Sequence, residues 1–136
     1  MTEAGDLRMM IASKVPIIVV ESHDEARVLS FVAETAMRKG LGVLEWTAVR
    51  GLQRGSLERG VIPEESPTAD PEAALLEVAR GAGPMLCVFC DLHPWLKGEP
   101  RLVRLLKEIA LEHERSGKTL ILVSHRFELP EELTRL

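Results

Sequence analysis

Cysteine is scarce in this chain: Cys87 and Cys90 are the only two among its 136 residues. Two cysteines in one apolar run cannot supply the disulfide framework that stabilises small secreted domains. A reducing, cytoplasmic compartment is the expectation. Long hydrophobic runs are missing as well. Stretches such as Ile17–Val20 and Leu120–Val123 fall far short of the ~20 apolar residues that span a bilayer. The acidic, polar start MTEAGDLR is not a secretory h-region, so no membrane role is expected. Basic charge is not in excess either. There are 17 Lys+Arg against 21 Asp+Glu, a net charge of −4, which argues against a general nucleic-acid binder with its basic face. Internal repeats and low-complexity tracts are absent.

What remains is one domain's length of chain, 46% apolar and 28% charged, enough apolar residues for a globular core. Four segments read as buried strands: Pro16–Glu21, Val43–Trp46, Met85–Asp91 and Thr119–Ser124. They are nearly continuous apolar runs, the pattern of parallel strands covered on both faces. Helical stretches alternate with them. His23–Lys39 carries Leu29, Val32, Ala33 and Ala36 at helical spacing and stops at Gly40. Asp70-Pro71-Glu72 is an N-cap, a first-position proline and an early acid, opening a helix that runs to Gly81. Pro100–Arg115 sets Leu102, Leu105, Leu106 and Ile109 on one face, and Leu7, Met10 and Ile11 predict a helix before the first strand. Arg50–Asp70 is the longest irregular segment. Pro130–Leu136 reads as a helix just starting, as expected of a chain cut from something longer.

In an open α/β sheet, ligands bind at the carboxyl ends of the strands. Asp91 ends an apolar strand there, the Walker B pattern in which a carboxylate orients magnesium at a phosphate site. The next residue is Leu92, where a hydrolysing enzyme usually has glutamate. Ser124 closes the last strand in the place of a sensor residue. The turn after the first strand decides between these readings. A phosphate loop needs GxxxxGK[ST], whose backbone N–H groups wrap the phosphates. Val20 instead passes through Glu21-Ser22-His23-Asp24-Glu25 straight into the helix, with no glycine and no lysine. Ser22-x-x-Glu25 reads as a capping box that occupies the helical N–H groups a phosphate would use. The carboxylates of Glu21, Asp24 and Glu25 repel an anion there.

Other constellations carry less. Cys87-x-x-Cys90-x-x-His93 suggests a metal site, but residues three apart on a strand point to opposite faces, so no metal is expected. Ser124, His125 and Asp91 contain the letters of a hydrolase triad without a GxSxG elbow. A phosphoacceptor reading of Glu21, Asp24 and Asp91 needs a fifth strand and a late lysine that the sequence does not offer. Arg50, Arg54 and Arg59 lie in a basic, glycine-containing loop, which is either solvated or a contact for an acidic partner surface. Trp95 is either tucked over the sheet end or an interface anchor.

Pro16–Glu21 followed by Asp24–Leu29, Trp46–Leu52, Asp91–Leu96, and Leu120–Ser124 with Glu128–Leu133 occur in an order that resembles the N-terminal region of two-part AAA+ ATPases of cyanobacterial and plastid type. The resemblance covers Leu7 to Leu136. It implies a P-loop NTPase-like domain over 1–136 that precedes an ATPase module and has a three-layer α/β fold. The sheet would be four-stranded and mainly parallel, in the order first, fourth, third, second strand. By that resemblance Asp91, Ser124 and Arg126 are the nucleotide and magnesium candidates. Arg50, Arg54, Arg59 and Trp95 are the partner-contact candidates, and Ser22 and Glu25 form the cap in place of Walker A. The expected function is a non-catalytic module for protein interaction or assembly of an ATPase, without a cofactor. Its partner would be another protein or its own C-terminal ATPase module, and a homo-oligomer is admitted. The alternative is an ATP- or ADP-binding module using Asp91 and Arg126 with residues from a partner subunit. A small hydrolase using Ser124 or His125 ranks third.

Overall fold

Apolar strands with no polar face need a helical layer on each side, and that is how the chain folds. The structure is a computed structural model that describes residues 4–55, 60–125 and 131–134. The elements in order are α1 (Ala4–Ala12), β1 (Ile17–Glu21), α2 (Glu25–Lys39), β2 (Gly42–Thr47), β3 (Gly51–Arg54), α3 (Pro71–Arg80) and β4 (Met85–Cys90). They continue with α4 (His93–Leu96), α5 (Pro100–Leu111), α6 (His113–Ser116), β5 (Lys118–Ser124) and α7 (Glu131–Thr134). The sheet order is β1-β5-β4-β2-β3. The first four of these are mutually parallel, and β3 runs antiparallel to β2. For the four strands read from the sequence this is the expected order.

Two cores lie on opposite faces of the sheet. Leu86, Val88 and Cys90 of β4, with Ile121 and Val123 of β5, pack with Leu7 and Ile11 of α1 and Leu29, Val32 and Ala36 of α2. The intervening Cys87, Phe89, Leu120 and Leu122 pack with Ala74, Leu75 and Val78 of α3 and Leu102, Leu106 and Ile109 of α5. All seven positions of β5 are buried. That is why alternation was absent from the sequence. One of the seven is Lys118, whose ammonium donates to the Gly81 carbonyl just past the end of α3, a favourable place for a cation.

The structure corrects the sequence reading in three places. The Arg50–Asp70 segment is not irregular throughout, because it contains β3 as a fifth strand and a short 3-10 turn at Pro67–Ala69. The hairpin is made by a turn in which the Arg50 N–H donates to Thr47 Oγ1 at 3.0 Å, followed by Gly51 at φ 71°. The outer side of β3 is closed by side chains of the 3-10 turn. The Leu52 N–H donates to Thr68 Oγ1 at 2.9 Å, and Ser66 Oγ donates to the Arg50 carbonyl at 3.0 Å. This covers an edge that would otherwise invite pairing with another strand. The predicted helix Pro100–Arg115 breaks at Glu112 into α5 and α6. The break lets His113 turn inward, its Nδ1 2.8 Å from the Lys118 carbonyl. Third, α2 begins at Glu25 and not at His23.

Candidate functional site

Because β1, β5, β4 and β2 are parallel, their carboxyl ends share one edge of the sheet. Ser124 stands opposite Glu21 in the β1–β5 register. The Ser22 N–H donates to the Ser124 carbonyl at 2.9 Å, and the Asp91 N–H donates to the Val123 carbonyl at 2.9 Å. The fold therefore lines up Glu21, Ser124 and Asp91, residues widely separated in the chain. Ser124 is buried and Asp91 is exposed. Asp91 has φ 57°, in the left-handed region that aspartate tolerates better than most residues. This lets the chain turn sharply from β4, so that Leu92 dives into the core beside α3 and α5. Leu92 is 0% exposed. The position after Asp91 thus faces the interior and not the edge where water would be activated. Arg126, the third nucleotide candidate, lies outside the described residues.

The turn between β1 and α2 is three residues, Ser22-His23-Asp24. The sequence reading placed the cap at Ser22 and Glu25, and the structure places it at Asp24. Asp24 Oδ1 accepts the Arg27 N–H at 3.1 Å, while Ser22 Oγ accepts the Asp24 N–H at 3.1 Å. The helix starts late enough for Asp24 to be the cap, leaving Glu25 as its first residue. Ser22 therefore braces the turn one step earlier. The chemical effect of the two side chains is that of a cap all the same: both N–H groups are occupied, and Asp24 and Glu25 put two carboxylates at the positive end of the α2 dipole.

The partner-contact candidates divide. Trp95 on α4 is 43% exposed. The Arg50 guanidinium is half-buried and donates to the Gly60 carbonyl at 3.3 Å, which ties the β2–β3 turn to the following loop. Arg54 is exposed at the end of β3, and Arg59 lies outside the described residues. Trp46, near the carboxyl end of β2, is wholly buried. Its indole N–H donates to the Thr68 carbonyl at 2.7 Å, and its ring lies 5.5 Å from that of Phe89.

Cys87 and Cys90 face opposite cores, as the strand period requires. Burial pushes the Cys87 thiol up to about 12, against a smaller opposing pull from Lys118. The thiol is protonated at neutral pH and is neither nucleophile nor ligand. Among the described residues no group of three or more His, Cys, Asp or Glu is placed to hold a metal ion, and no helix is long and apolar enough to cross a membrane. One pairing escaped the sequence reading. His23 and His125, at the ends of neighbouring strands, bring their rings to 6.1 Å between centroids. Their separation along the chain gave no signal for it.

The family model for the SpoVK-like AAA ATPase N-terminal domain matches residues 3–136. The chain belongs to that family. Searches of curated proteins and of solved structures gave no match. Membership in the SpoVK-like AAA ATPase N-terminal domains agrees with the resemblance carried by the ordered motifs. It also agrees with the α/β sheet of mostly parallel strands just described, and it makes this chain an AAA+-associated module.

Proposed function

We propose that this domain is a non-catalytic interaction module of an AAA+ ATPase, a single domain over 1–136 that contacts the ATPase module. The observation that carries the reading is the β1–α2 turn. Phosphate recognition at a helix start needs free backbone N–H groups and room for a loop. Here Asp24 and Ser22 hold the Arg27 and Asp24 N–H groups in a three-residue turn. Leu92, buried behind Asp91, supports the same reading, since no carboxylate follows Asp91 to polarise water. The exposed Trp95 and Arg54 supply an aromatic and a cation for a protein contact.

A second reading keeps nucleotide binding without Walker A, through Asp91, Arg126 and a partner subunit. The exposed carboxylate of Asp91 at the sheet edge favours it. Calorimetric titration with Mg-ATP and Mg-ADP at high protein concentration separates the two. Absence of heat down to millimolar affinity is the expected result. Micromolar binding would overturn the proposal and make Asp91→Ala the next variant to measure. Under the interaction reading, Trp95→Ala weakens association with the ATPase module and leaves the fold unchanged by circular dichroism.

A further inference from the structure

The β1–β5 ladder extends one step beyond β1, through the hydrogen bond from the Ser22 N–H to the Ser124 carbonyl. Residues 23 and 125 therefore leave the sheet side by side. The two imidazoles are exposed, 6.1 Å apart between centroids and inclined by 34°. We propose that His23 and His125 together bind a divalent transition-metal ion of the zinc, nickel or copper class, with water filling the remaining positions. Imidazole is the side chain best suited to these ions. A metal–nitrogen bond of ~2.0–2.1 Å places each ring centroid about 3.2 Å from the ion, so the centroids stand about 5.2 Å apart at a tetrahedral angle and up to about 6.4 Å when opposed. The observed separation lies inside that range, and rotation of two exposed side chains closes it further without disturbing the core. The backbone on both sides is already fixed by the ladder, so little ordering opposes binding.

Among the described residues, the charged groups at this edge are Glu21 at the end of β1, Asp24 from the β1–α2 turn, Glu25 and Arg27 from the first turn of α2, and Asp91 just past β4. The carboxylates favour a cation nearby, although Asp24 is committed to the Arg27 N–H. Among the described residues no third protein ligand joins the pair. The site is therefore open and exchangeable, with an affinity in the micromolar range. When filled, the ion ties the start of α2 to the point where the chain leaves β5. The proposal is independent of the interaction reading.

The test is calorimetric titration of the full chain with zinc chloride and, separately, nickel chloride in a non-chelating buffer at about pH 7.5. One ion per chain is expected, with affinity reduced at least tenfold in His23→Ala and equally in His125→Ala. Circular dichroism checks that each variant is folded, and the imidazole proton resonances of both residues shift together as zinc is added. Absence of saturable binding would overturn the proposal. So would binding that survives both substitutions, which would mark an adventitious ion only.

Discussion

Gly51→Ala tests how the β3 edge is closed. Gly51 has φ 71°, and a Cβ there would meet Ser66 Oγ, Thr68 Oγ1 at 2.5 Å and the Ala69 backbone nitrogen at 2.9 Å. The left-handed conformation costs a residue with a Cβ ~1 kcal/mol. The contact with Ala69 is with backbone, so a side-chain rotation alone cannot relieve it, and the 3-10 turn must move. That turn holds Leu52 and Arg50 through Thr68 and Ser66, and Trp46 through the Thr68 carbonyl. Overpacking of this kind costs ~1–3 kcal/mol, and each hydrogen bond stretched or lost adds ~1 kcal/mol. The expected destabilisation is about 3–4 kcal/mol. Gly40→Ala is the matched control. Gly40 has φ 68° with nothing within 4 Å of the added Cβ, so it pays the conformational cost of ~1 kcal/mol and nothing more. Urea melts followed by circular dichroism give both values. In a Trp95→Phe background, the fluorescence of Trp46 reports whether its contact with Thr68 loosens. Equal losses for the two variants would refute the reasoning, because they would show that Ser66, Thr68 and Ala69 yield freely.

Three further expectations follow from the site. Asp24→Ala loses ~1 kcal/mol as the true N-cap, and Ser22→Ala loses less, since Ser22 holds only the Asp24 N–H; urea melts rank the two. Leu92→Glu does not create ATPase activity and lowers stability by several kcal/mol, because it puts a carboxylate where the side chain is wholly buried; a phosphate-release assay and a thermal melt check both parts. Burial raises the Cys87 thiol from 9.0 to about 12, so the unfolded state loses its proton first as pH rises. The stabilising contribution is complete below about pH 9 and falls by ~1.4 kcal/mol per pH unit between about 9 and 12. Cys87→Ala should flatten that part of the pH–stability profile, as guanidinium melts across the range will show.

The fold was legible where burial on both faces wrote itself into the sequence. Ile17–Glu21, Met85–Cys90 and Lys118–Ser124 are apolar on both sides because α1 and α2 cover one face and α3 and α5 the other. Asp70 and Pro71 marked α3 to the residue. β3 was not legible. Gly51-Leu52-Gln53-Arg54 is short and without pattern, and its pairing depends on Thr47, Ser66 and Thr68, contacts of tertiary origin. At the site, the absence of a phosphate loop was plain, but choosing between Ser22 and Asp24 as the cap required the helix start to be known. The inward turn of Leu92 was equally hidden, since an apolar residue after a strand does not reveal that Asp91 adopts a left-handed conformation. His23 and His125 meet only because β1 and β5 are neighbours.

The sheet is a wall shared by two cores, and the chain has placed one thiol on each side of it. Cys87 faces the layer of α3 and α5, and Cys90 faces the layer of α1 and α2. Both are buried and neither is in a disulfide, so neither reacts until its own layer opens. In a labelling experiment under native conditions, each sulfur acts as a clock for one helical layer. Single Cys→Ala variants would show whether the layers detach together or one at a time. If α1 and α2 open first, Cys90 reacts ahead of Cys87, and the β1–α2 turn belongs to the less stable half of the domain. Equal rates would make the whole wall a single cooperative unit, so that a partner gripping either face would stabilise both.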